Sequence, residues 1–229
     1  MKHNWFITGT DTNVGKTIFS NILLKIGKNK GYKTIGYKPI SSYASNNTIN
    51  HTDIEILKKN SMVSFPNEII NPFNFNESAP PHFISKRIKK HIDPNIISKN
   101  LDILRKKSNW IVIEGAGGWH TPISDTILYS DWVYEKKIPV ILVIGIKLGC
   151  INHAILTSEA IINKKLILFG WISNNINTIT RYNKEYLFYL KKNIKAPFLG
   201  HIPFLNKKNS FQYNEVLSIF DKSIFYQIQ

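Results

Sequence analysis

Residues 9–17 read Gly-Thr-Asp-Thr-Asn-Val-Gly-Lys-Thr, and this segment constrains the fold more than any other part of the chain. It follows the apolar run 5–7 and precedes residues 18–26, in which isoleucine and leucine recur at helical spacing. A turn between a buried strand and a helix leaves backbone N–H groups without helical partners, and these groups can surround a phosphate. The segment therefore predicts a phosphate-binding loop at the carboxyl end of the first strand.

Two side chains of this loop have expected roles. Lys16 supplies a positive charge for the outer phosphates of a nucleotide, and the hydroxyl of Thr17 is the expected Mg²⁺ ligand. Counted from Gly9, the loop is one residue longer than the usual pattern, so that Thr10 stands where a glycine is expected. We therefore interpret the segment as a variant loop, with a polar surface turn as the alternative.

Composition limits the class of protein. The chain has 229 residues, of which 43% are hydrophobic and 20% charged, so it can bury a core and is not disordered overall. We expect one α/β domain over residues 1–229. Cys150 is the only cysteine, which excludes an internal disulfide and fits a reducing cytosol. We expect no leader and no membrane span, since the longest apolar run, 138–146, is too short, and hence a cytoplasmic protein.

The net charge of +15 raises the alternative of a nucleic-acid-binding module. The basic residues are scattered along the chain, and the densest run, 86–90, is short. Aromatic residues of the kind that stack on bases are not interleaved with it. We therefore favour a solvated basic surface and expect no nucleic-acid partner.

Six apolar segments separated by helical patterns predict the strands of a parallel sheet. Their hydrophobicity is continuous rather than alternating, as in strands that are covered on both faces. We therefore predict a doubly wound parallel sheet flanked by helices, with ligands beyond the carboxyl ends of the strands. The predicted strands are 4–8, 34–37, 110–114, 140–144, 166–172 and 198–202.

The segments between these strands are less regular. Residues 41–51 are polar and predict a loop, and residues 66–82 hold four prolines and predict an irregular covering segment. An Asp-Pro pair opens a predicted helix over 93–107, and a second helix is predicted over 154–162.

Charged residues stand at the ends of two predicted strands. Lys38, followed by a proline, would project toward the phosphate loop, with a surface position as the alternative. Glu114 closes an apolar strand and is followed by Gly-Ala-Gly-Gly, whose backbone can approach a phosphate closely. A buried carboxylate is costly unless a cation meets it. We therefore favour Glu114 as a metal ligand over a structural salt bridge.

Other strand-end residues have weaker signals. Asp53 is a second candidate carboxylate, although spacing alone favours a helix cap. Residues 147–153 open a helix whose free amides could bind a carboxylate. Cys150 and His153 suggest a nucleophile and base, but no acid is placed to orient the histidine, so we favour structural roles. Asn174 can read a nucleobase edge, and the absence of an Asn-Lys-x-Asp motif favours adenine.

Four segments in order across nearly the whole chain together resemble the dethiobiotin synthetase family: 9–17, 36–39, 114–119 and 147–153. The resemblance implies an ATP-dependent cyclo-ligase of biotin synthesis that acts on 7,8-diaminononanoate, CO₂ and MgATP. It implies that an amine captures CO₂ as a carbamate, which accepts the γ-phosphoryl group. The second amine then closes a ureido ring with loss of phosphate.

The same resemblance implies roles for the reacting centre. Lys16 and Lys38 would neutralise carbamate and phosphoryl oxygens, and Thr12 and Ser42 would orient the reacting end of the substrate. Mg²⁺ would be held by Thr17, Asp53 and Glu114.

By resemblance, the nucleotide contacts come from the phosphate loop, the strand ends and a segment that follows the last strand. The family tends to place a glutamate near adenine or ribose, where this chain has Lys-Lys-Asn-Ser at 207–210. The implied contacts are Asn13, Val14, Gly15, Lys16, Thr17, Ile18, Asp53, Glu114, Gly115, Ala116, Gly117, Asn174, Asn175, Pro203, Phe204 and Leu205.

The resemblance further implies a homodimer in which the substrate carboxylate lies on backbone amides at the start of a helix. Tyr186 is the residue that we expect from the other subunit. The implied carboxylate contacts are Gly149, Cys150, Ile151 and Asn152.

The alternative to the ligase is a P-loop ATPase switch of the chromosome-partitioning or division-site kind. That class carries an extra lysine early in the loop and often a basic amphipathic tail. Residues 10–12 of this chain are Thr-Asp-Thr, and residues 214–229 are not basic. The sequence therefore favours the ligase.

Overall fold

A computed structural model describes residues 2–42, 53–177, 181–204 and 210–228, with the side chains of 210–213 left aside. Strands and helices largely alternate along these ranges. The strands are β1 (His3–Gly9), β2 (Thr34–Tyr37), β3 (Ile40–Ser42), β4 (Phe73–Phe75), β5 (Trp110–Glu114), β6 (Val140–Gly145), β7 (Leu168–Asn174) and β8 (Phe198–Ile202). The helices are α1 (Lys16–Asn29), α2 (Asp53–Asn60), α3 (Asn67–Ile70), α4 (Pro81–Arg87), α5 (Pro94–Lys107), α6 (Tyr129–Glu135), α7 (Cys150–Asn163), α8 (Asn183–Asn193) and α9 (Ser210–Ile228).

Six strands form one parallel sheet in the order β2-β5-β1-β6-β7-β8. All six predicted strands are present, and the predicted doubly wound fold is confirmed. Strand β7 begins two residues later than predicted. Leu166 instead closes the end of α7 by donating its backbone N–H to Ile161, 3.4 Å away.

The sheet buries both of its faces, which explains the continuous hydrophobicity of its strands. In β1, Phe6 packs into one apolar cluster, whereas Trp5 and Ile7 pack into the other. The first cluster includes residues of α5, α6, α7 and α8, and the second includes residues of α1, α2 and α9. This two-sided core fixes the carboxyl ends of the strands along one edge of the sheet.

The structure corrects the prediction of a loop over 41–51. Ser41 and Ser42 lie in β3, which pairs in parallel with β4, while 43–51 fall outside the described residues. In β4, Phe73 and Phe75 are buried and Asn74 is exposed. A strand of three residues is too short for its alternation to be recognised in a sequence.

The other irregular segment also contains regular structure, since α3, β4 and the start of α4 all lie within 66–82. The predicted helix over 93–107 is confirmed, and the carboxylate of Asp93 caps it by accepting a 2.8 Å hydrogen bond from the N–H of Asn95. Helix α7 begins at Cys150, four residues before the predicted helix. Among the described helices, none is both long and apolar enough to cross a membrane.

Candidate active site

The phosphate loop connects β1 to α1 and is held from two neighbouring strands. The N–H of Thr10 donates to the carbonyl of Val143 in β6 at 3.0 Å. The side-chain amide of Asn174, at the end of β7, donates to the carbonyl of Val14 at 2.8 Å. Gly15 has a φ of 102°, and a Cβ atom there would lie 2.1 Å from Nδ2 of Asn174. A glycine is therefore required at this point of the loop.

Lys16 is buried, with 8% of its surface exposed. Its ammonium donates to the carbonyl of Asp11 at 2.8 Å. Burial lowers the pKa of Lys16 to about 8, although the Glu114 carboxylate acts in the opposite direction. Contact with an anion would therefore stabilise the charged form of this buried lysine.

Four side chains from separate elements form a cluster beside the loop, which we call the carboxylate cluster: Thr17, Lys38, Asp53 and Glu114. The ammonium of Lys38 contacts Oδ2 of Asp53 and lies 2.8 Å from Oε1 of Glu114. The hydroxyl of Thr17 lies 2.9 Å from Oδ1 of Asp53 and 2.8 Å from Oε1 of Glu114. The sequence named all four residues, and the fold brings them together.

The charges of this cluster support one another. Burial alone would lower the pKa of Lys38, but the carboxylates of Glu114 and Asp53 outweigh burial and raise the pKa above that of an ordinary lysine. Burial alone would raise the pKa of Asp53, yet the Lys38 ammonium and the Thr17 hydroxyl bring it below its usual value. Lys38 and Asp53 are therefore both charged at neutral pH.

The cluster fits a divalent cation. Its hydroxyl and two carboxylates are the hard oxygen donors that Mg²⁺ prefers. Glu114 is fully buried, and its Oε2 atom has no hydrogen-bond partner. A buried carboxylate oxygen without a partner is costly, and the ammonium of Lys38 already shows that a positive charge is accommodated between these carboxylates.

A cavity of about 780 Å³ opens over the loop and the carboxylate cluster. Most residues predicted for the reacting centre line it, including Thr12 and Ser42. A second wall is formed by Ser78–Pro81, which belong to the predicted covering segment 66–82, and by residues of the Gly118–Pro122 segment. Sequence reasoning missed Thr121 and Pro122. Predicted residues that line the cavity are Thr12, Asn13, Gly15, Lys16, Thr17, Ile18, Lys38, Ser42, Asp53, Glu114, Gly115, Ala116 and Gly117.

Comparison with known proteins shows the family to which this chain belongs. An AAA domain family model matches residues 3–210. ATP-dependent dethiobiotin synthetase BioD of Buchnera aphidicola subsp. Acyrthosiphon pisum (strain APS) is 47% identical over 218 residues, which is 94% of this chain and 97% of that protein. BioD 1 of Escherichia coli (strain K12) is 42% identical over 207 residues, 90% of this chain and 92% of that protein. The chain belongs to the ATP-dependent dethiobiotin synthetase family.

Members of the dethiobiotin synthetase family are carbon–nitrogen ligases. Solved structures at much lower identity share the fold with this chain. A ParA family ATPase from Chlorobium tepidum TLS has a TM-score of 0.58 at 16% identity over 100% of both chains. The septum site-determining protein MinD from Pyrococcus horikoshii OT3, complexed with Mg-ADP, has a TM-score of 0.58 at 14% identity over 98% of this chain and 96% of that chain. These likenesses show the fold alone.

Several residues that the dethiobiotin synthetase resemblance implied lie away from the cavity. Asn174 is 3% exposed and its amide is used to hold the phosphate loop. Asn175 is 8% exposed and donates its N–H to Ile202, at the end of β8. Their contacts with adenine stay predictions, as do those of Pro203 and Phe204. Leu205 lies outside the described residues.

The predicted carboxylate site lies at the start of α7, also apart from the cavity. Gly149 has a φ of 86° and precedes the helix, and its carbonyl accepts the N–H of His153. The N–H groups of Ile151 and Asn152 come before this first helical hydrogen bond, so they have no carbonyl partner within the helix. Cys150 is buried, and burial raises the pKa of its thiol, as suits a structural residue.

Tyr186 lies on α8 and packs against the core at partial burial. Its predicted contact with a second subunit stays a prediction.

Proposed function

We propose that this member of the family converts 7,8-diaminononanoate and CO₂ to dethiobiotin with ATP and Mg²⁺, and releases ADP and phosphate. Family membership supports ATP-dependent dethiobiotin synthesis. One observation supports the proposed chemistry: Lys16, Lys38 and the carboxylates of Asp53 and Glu114 converge on a single cavity.

The proposed ATP site is the phosphate loop. Its turn presents backbone N–H groups at the start of α1, where the helix dipole also favours an anion. The ammonium of Lys16, now on the carbonyl of Asp11, would turn to the phosphate oxygens. Because burial disfavours its charge, Lys16 gains more from this contact than an exposed lysine would.

Mg²⁺ would be held by Thr17, Asp53 and Glu114, since the hydroxyl of Thr17 lies 2.9 Å from Asp53 and 2.8 Å from Glu114 and all three residues line the cavity. When bound, it supplies positive charge to the phosphate oxygens and to the departing ADP. Lys38 occupies part of this space, so its flexible side chain would shift toward the substrate.

In the proposed reaction, an amine of the substrate attacks CO₂, forms a C–N bond and loses a proton, which gives a carbamate. A carbamate oxygen then attacks the γ-phosphorus of ATP, and the bond from that phosphorus to ADP breaks. The second amine attacks the carbamoyl carbon and loses a proton, the bond from that carbon to the phosphate oxygen breaks, and the ring closes as phosphate leaves. Lys38 and Lys16 would stabilise the negative oxygens in these steps, since their charges are fixed before reaction.

Positioning is the second proposed contribution of the site. Thr12 and Ser42 would orient the two amines. Ser42 lies in β3, and its neighbour Ser41 bonds to Asn74 of β4 at 2.9 Å. The amide of Asn71 donates to the carbonyl of Lys38 at 2.6 Å, so the strand pair and Lys38 are held together.

We further propose that the active form is a cytoplasmic homodimer, with the substrate carboxylate on the amides of residues 149–152 and Tyr186 provided by the second subunit. The amides of Ile151 and Asn152 in the first turn of α7 support the carboxylate site, whereas the N–H of Cys150 donates to the carbonyl of Lys147 at 3.0 Å.

The decisive experiment measures phosphate release from ATP with bicarbonate and Mg²⁺, with and without 7,8-diaminononanoate, and detects dethiobiotin by mass spectrometry. We expect phosphate release to require the diamine and to match dethiobiotin formation mole for mole. Diamine-independent ATP hydrolysis without dethiobiotin would contradict the proposal. Lipid and DNA pelleting with and without ATP tests the switch alternative in the same preparations.

A further inference from the structure

The phosphate loop contains a carboxylate, Asp11, in a place built to receive polyanions. Its backbone carbonyl accepts the ammonium of Lys16 at 2.8 Å, and its charge is one of those that act on Lys16. A carboxylate so close to the phosphate-binding lysine opposes the binding of a nucleotide unless another charge cancels it.

Both oxygens of this carboxylate are engaged. Oδ1 accepts the N–H of Thr12 at 2.7 Å. Oδ2 lies 2.6 Å from the ammonium of Lys147, which comes from the loop between β6 and α7. The hydrogen bond from Lys147 lowers the pKa of Asp11 below its usual value, so the carboxylate is ionised and paired at neutral pH.

The pair is half-buried, with 34% of the Lys147 side chain and 43% of the Asp11 side chain exposed. An ion pair of this kind contributes little to folding stability. Its position instead makes it important for anion binding. The Lys147 ammonium comes from the end of another strand, and it compensates the Asp11 charge inside the phosphate loop. Lys147 also belongs to the segment 147–153, for which the proposed reaction uses only the helix start.

We propose that Lys147 is a positioning residue for ATP: it neutralises and holds the Asp11 carboxylate, and thereby keeps the phosphate loop receptive to the triphosphate. The inference rests on the proposed function only in assuming that this loop binds ATP. Without Lys147, the free carboxylate repels the phosphates. Without both charges, the loop is again neutral at this point.

The test measures the Kd of MgATP by titration calorimetry, without diamine and without bicarbonate, for K147M, D11N and the double variant. At low salt we expect K147M to bind about tenfold more weakly than the unsubstituted protein. We expect D11N to bind at least as tightly as the unsubstituted protein, because asparagine still accepts the Thr12 N–H and the unpaired Lys147 ammonium adds positive charge beside the loop. The double variant should recover most of the loss. Lys147→Arg should also recover binding, and the loss should shrink at high salt.

The chain offers a matched control in a second pair with the same geometry. Asp131 accepts the N–H of Leu128 at 2.7 Å and the ammonium of Lys164 at 2.6 Å, with 41% and 25% of the two acid–base side chains exposed. K164M should leave the Kd of MgATP unchanged.

Three outcomes would overturn the inference. These are unchanged binding in K147M, a double variant as weak as K147M, and an equal loss in K164M or D11N. A kinetic readout adds a fourth condition, since K147M should raise the KM for ATP more than it lowers kcat. Nucleotide binding is measured apart from turnover, so failure of the proposed reaction in the unsubstituted protein would be seen separately as ATP binding without dethiobiotin.

Discussion

The ammonium of Lys38 lies 2.8 Å from a carboxylate oxygen of Glu114, and this carboxylate is fully buried at the end of strand β5. The two residues are 76 positions apart in the chain. A buried ion pair is costly to break on one side, because the remaining charge has neither water nor a counter-ion at that distance. Lys38 and Glu114 therefore form one buried unit, and replacing Lys38 alone affects both stability and activity.

Replacing Lys38 by methionine should lower the free energy of unfolding by about 3 kcal/mol, because Glu114 is left as an unpaired buried charge. Urea denaturation measures this loss. Mg²⁺ should restore more stability to this variant than to the unsubstituted protein, since the cation can replace the ammonium between the carboxylates. An equal response to Mg²⁺ in both proteins would argue against a metal site at the carboxylate cluster.

The same substitution should lower kcat at least about a hundredfold even where Mg²⁺ restores the fold, because a fixed positive charge at the reacting oxygens is lost. Phosphate release under diamine saturation measures the effect, with circular dichroism as the check on the fold. Lys86→Met is a control for the loss of a lysine charge, since Lys86 forms an exposed pair with Asp125 at 2.9 Å and neither residue lines the cavity. That control should retain normal turnover.

Lys16 predicts a pH dependence. Its pKa of about 8 in the free protein means that the ammonium is present below pH 8 and is lost as the pH rises above it. The kcat/KM for ATP should therefore fall on the alkaline side of about pH 8. The corresponding profile of Lys16→Met should lie much lower and lack this limb, so a limb that persists in the variant would assign the titration to another group.

The sequence predicted the central sheet because its strands are continuous apolar runs bounded by glycine and by charged strand ends. It named the members of the carboxylate cluster by type and position. It did not predict that Lys38 lies between the two carboxylates, because that contact joins residues far apart in the chain. The predicted contact of Asn174 with adenine stays a prediction. The sequence did not predict that the amide of Asn174 holds the carbonyl of Val14, because that contact has no local pattern.

The small sheet of β3 and β4 shows a second limit of sequence reasoning. Three-residue strands carry too little alternation to be recognised, and their position depends on a buried polar side chain. Asn71 is 7% exposed and joins the carbonyl of Lys38 to the hydroxyl of Ser41. An asparagine in a proline-rich segment gives no sign of this role by itself.

Asn71→Ala should lower the free energy of unfolding by about 2 kcal/mol, because the buried carbonyl of Lys38 loses its donor. It should also lower kcat, since Lys38 and β3 are no longer held in place relative to each other. Asn71→Asp keeps an acceptor for the hydroxyl of Ser41 but removes the donor, and should therefore share the defect. A normal kcat in both variants would show that this contact does not position Lys38.

Gly15→Ala tests the geometry of the phosphate loop, with Gly31→Ala as its control. Both glycines have positive φ, 102° and 80°, so both alanines carry backbone strain of about 1 kcal/mol. Nothing lies within 4 Å of a Cβ atom at Gly31, whereas one at Gly15 would lie 2.1 Å from Nδ2 of Asn174. Gly15→Ala must therefore displace the amide that holds Val14.

We expect Gly15→Ala to be clearly less stable than Gly31→Ala in urea and to bind MgATP at least about tenfold more weakly, while Gly31→Ala binds normally. Equal stability and equal Kd in the two variants would mean that Asn174 yields without consequence and that the loop does not depend on it.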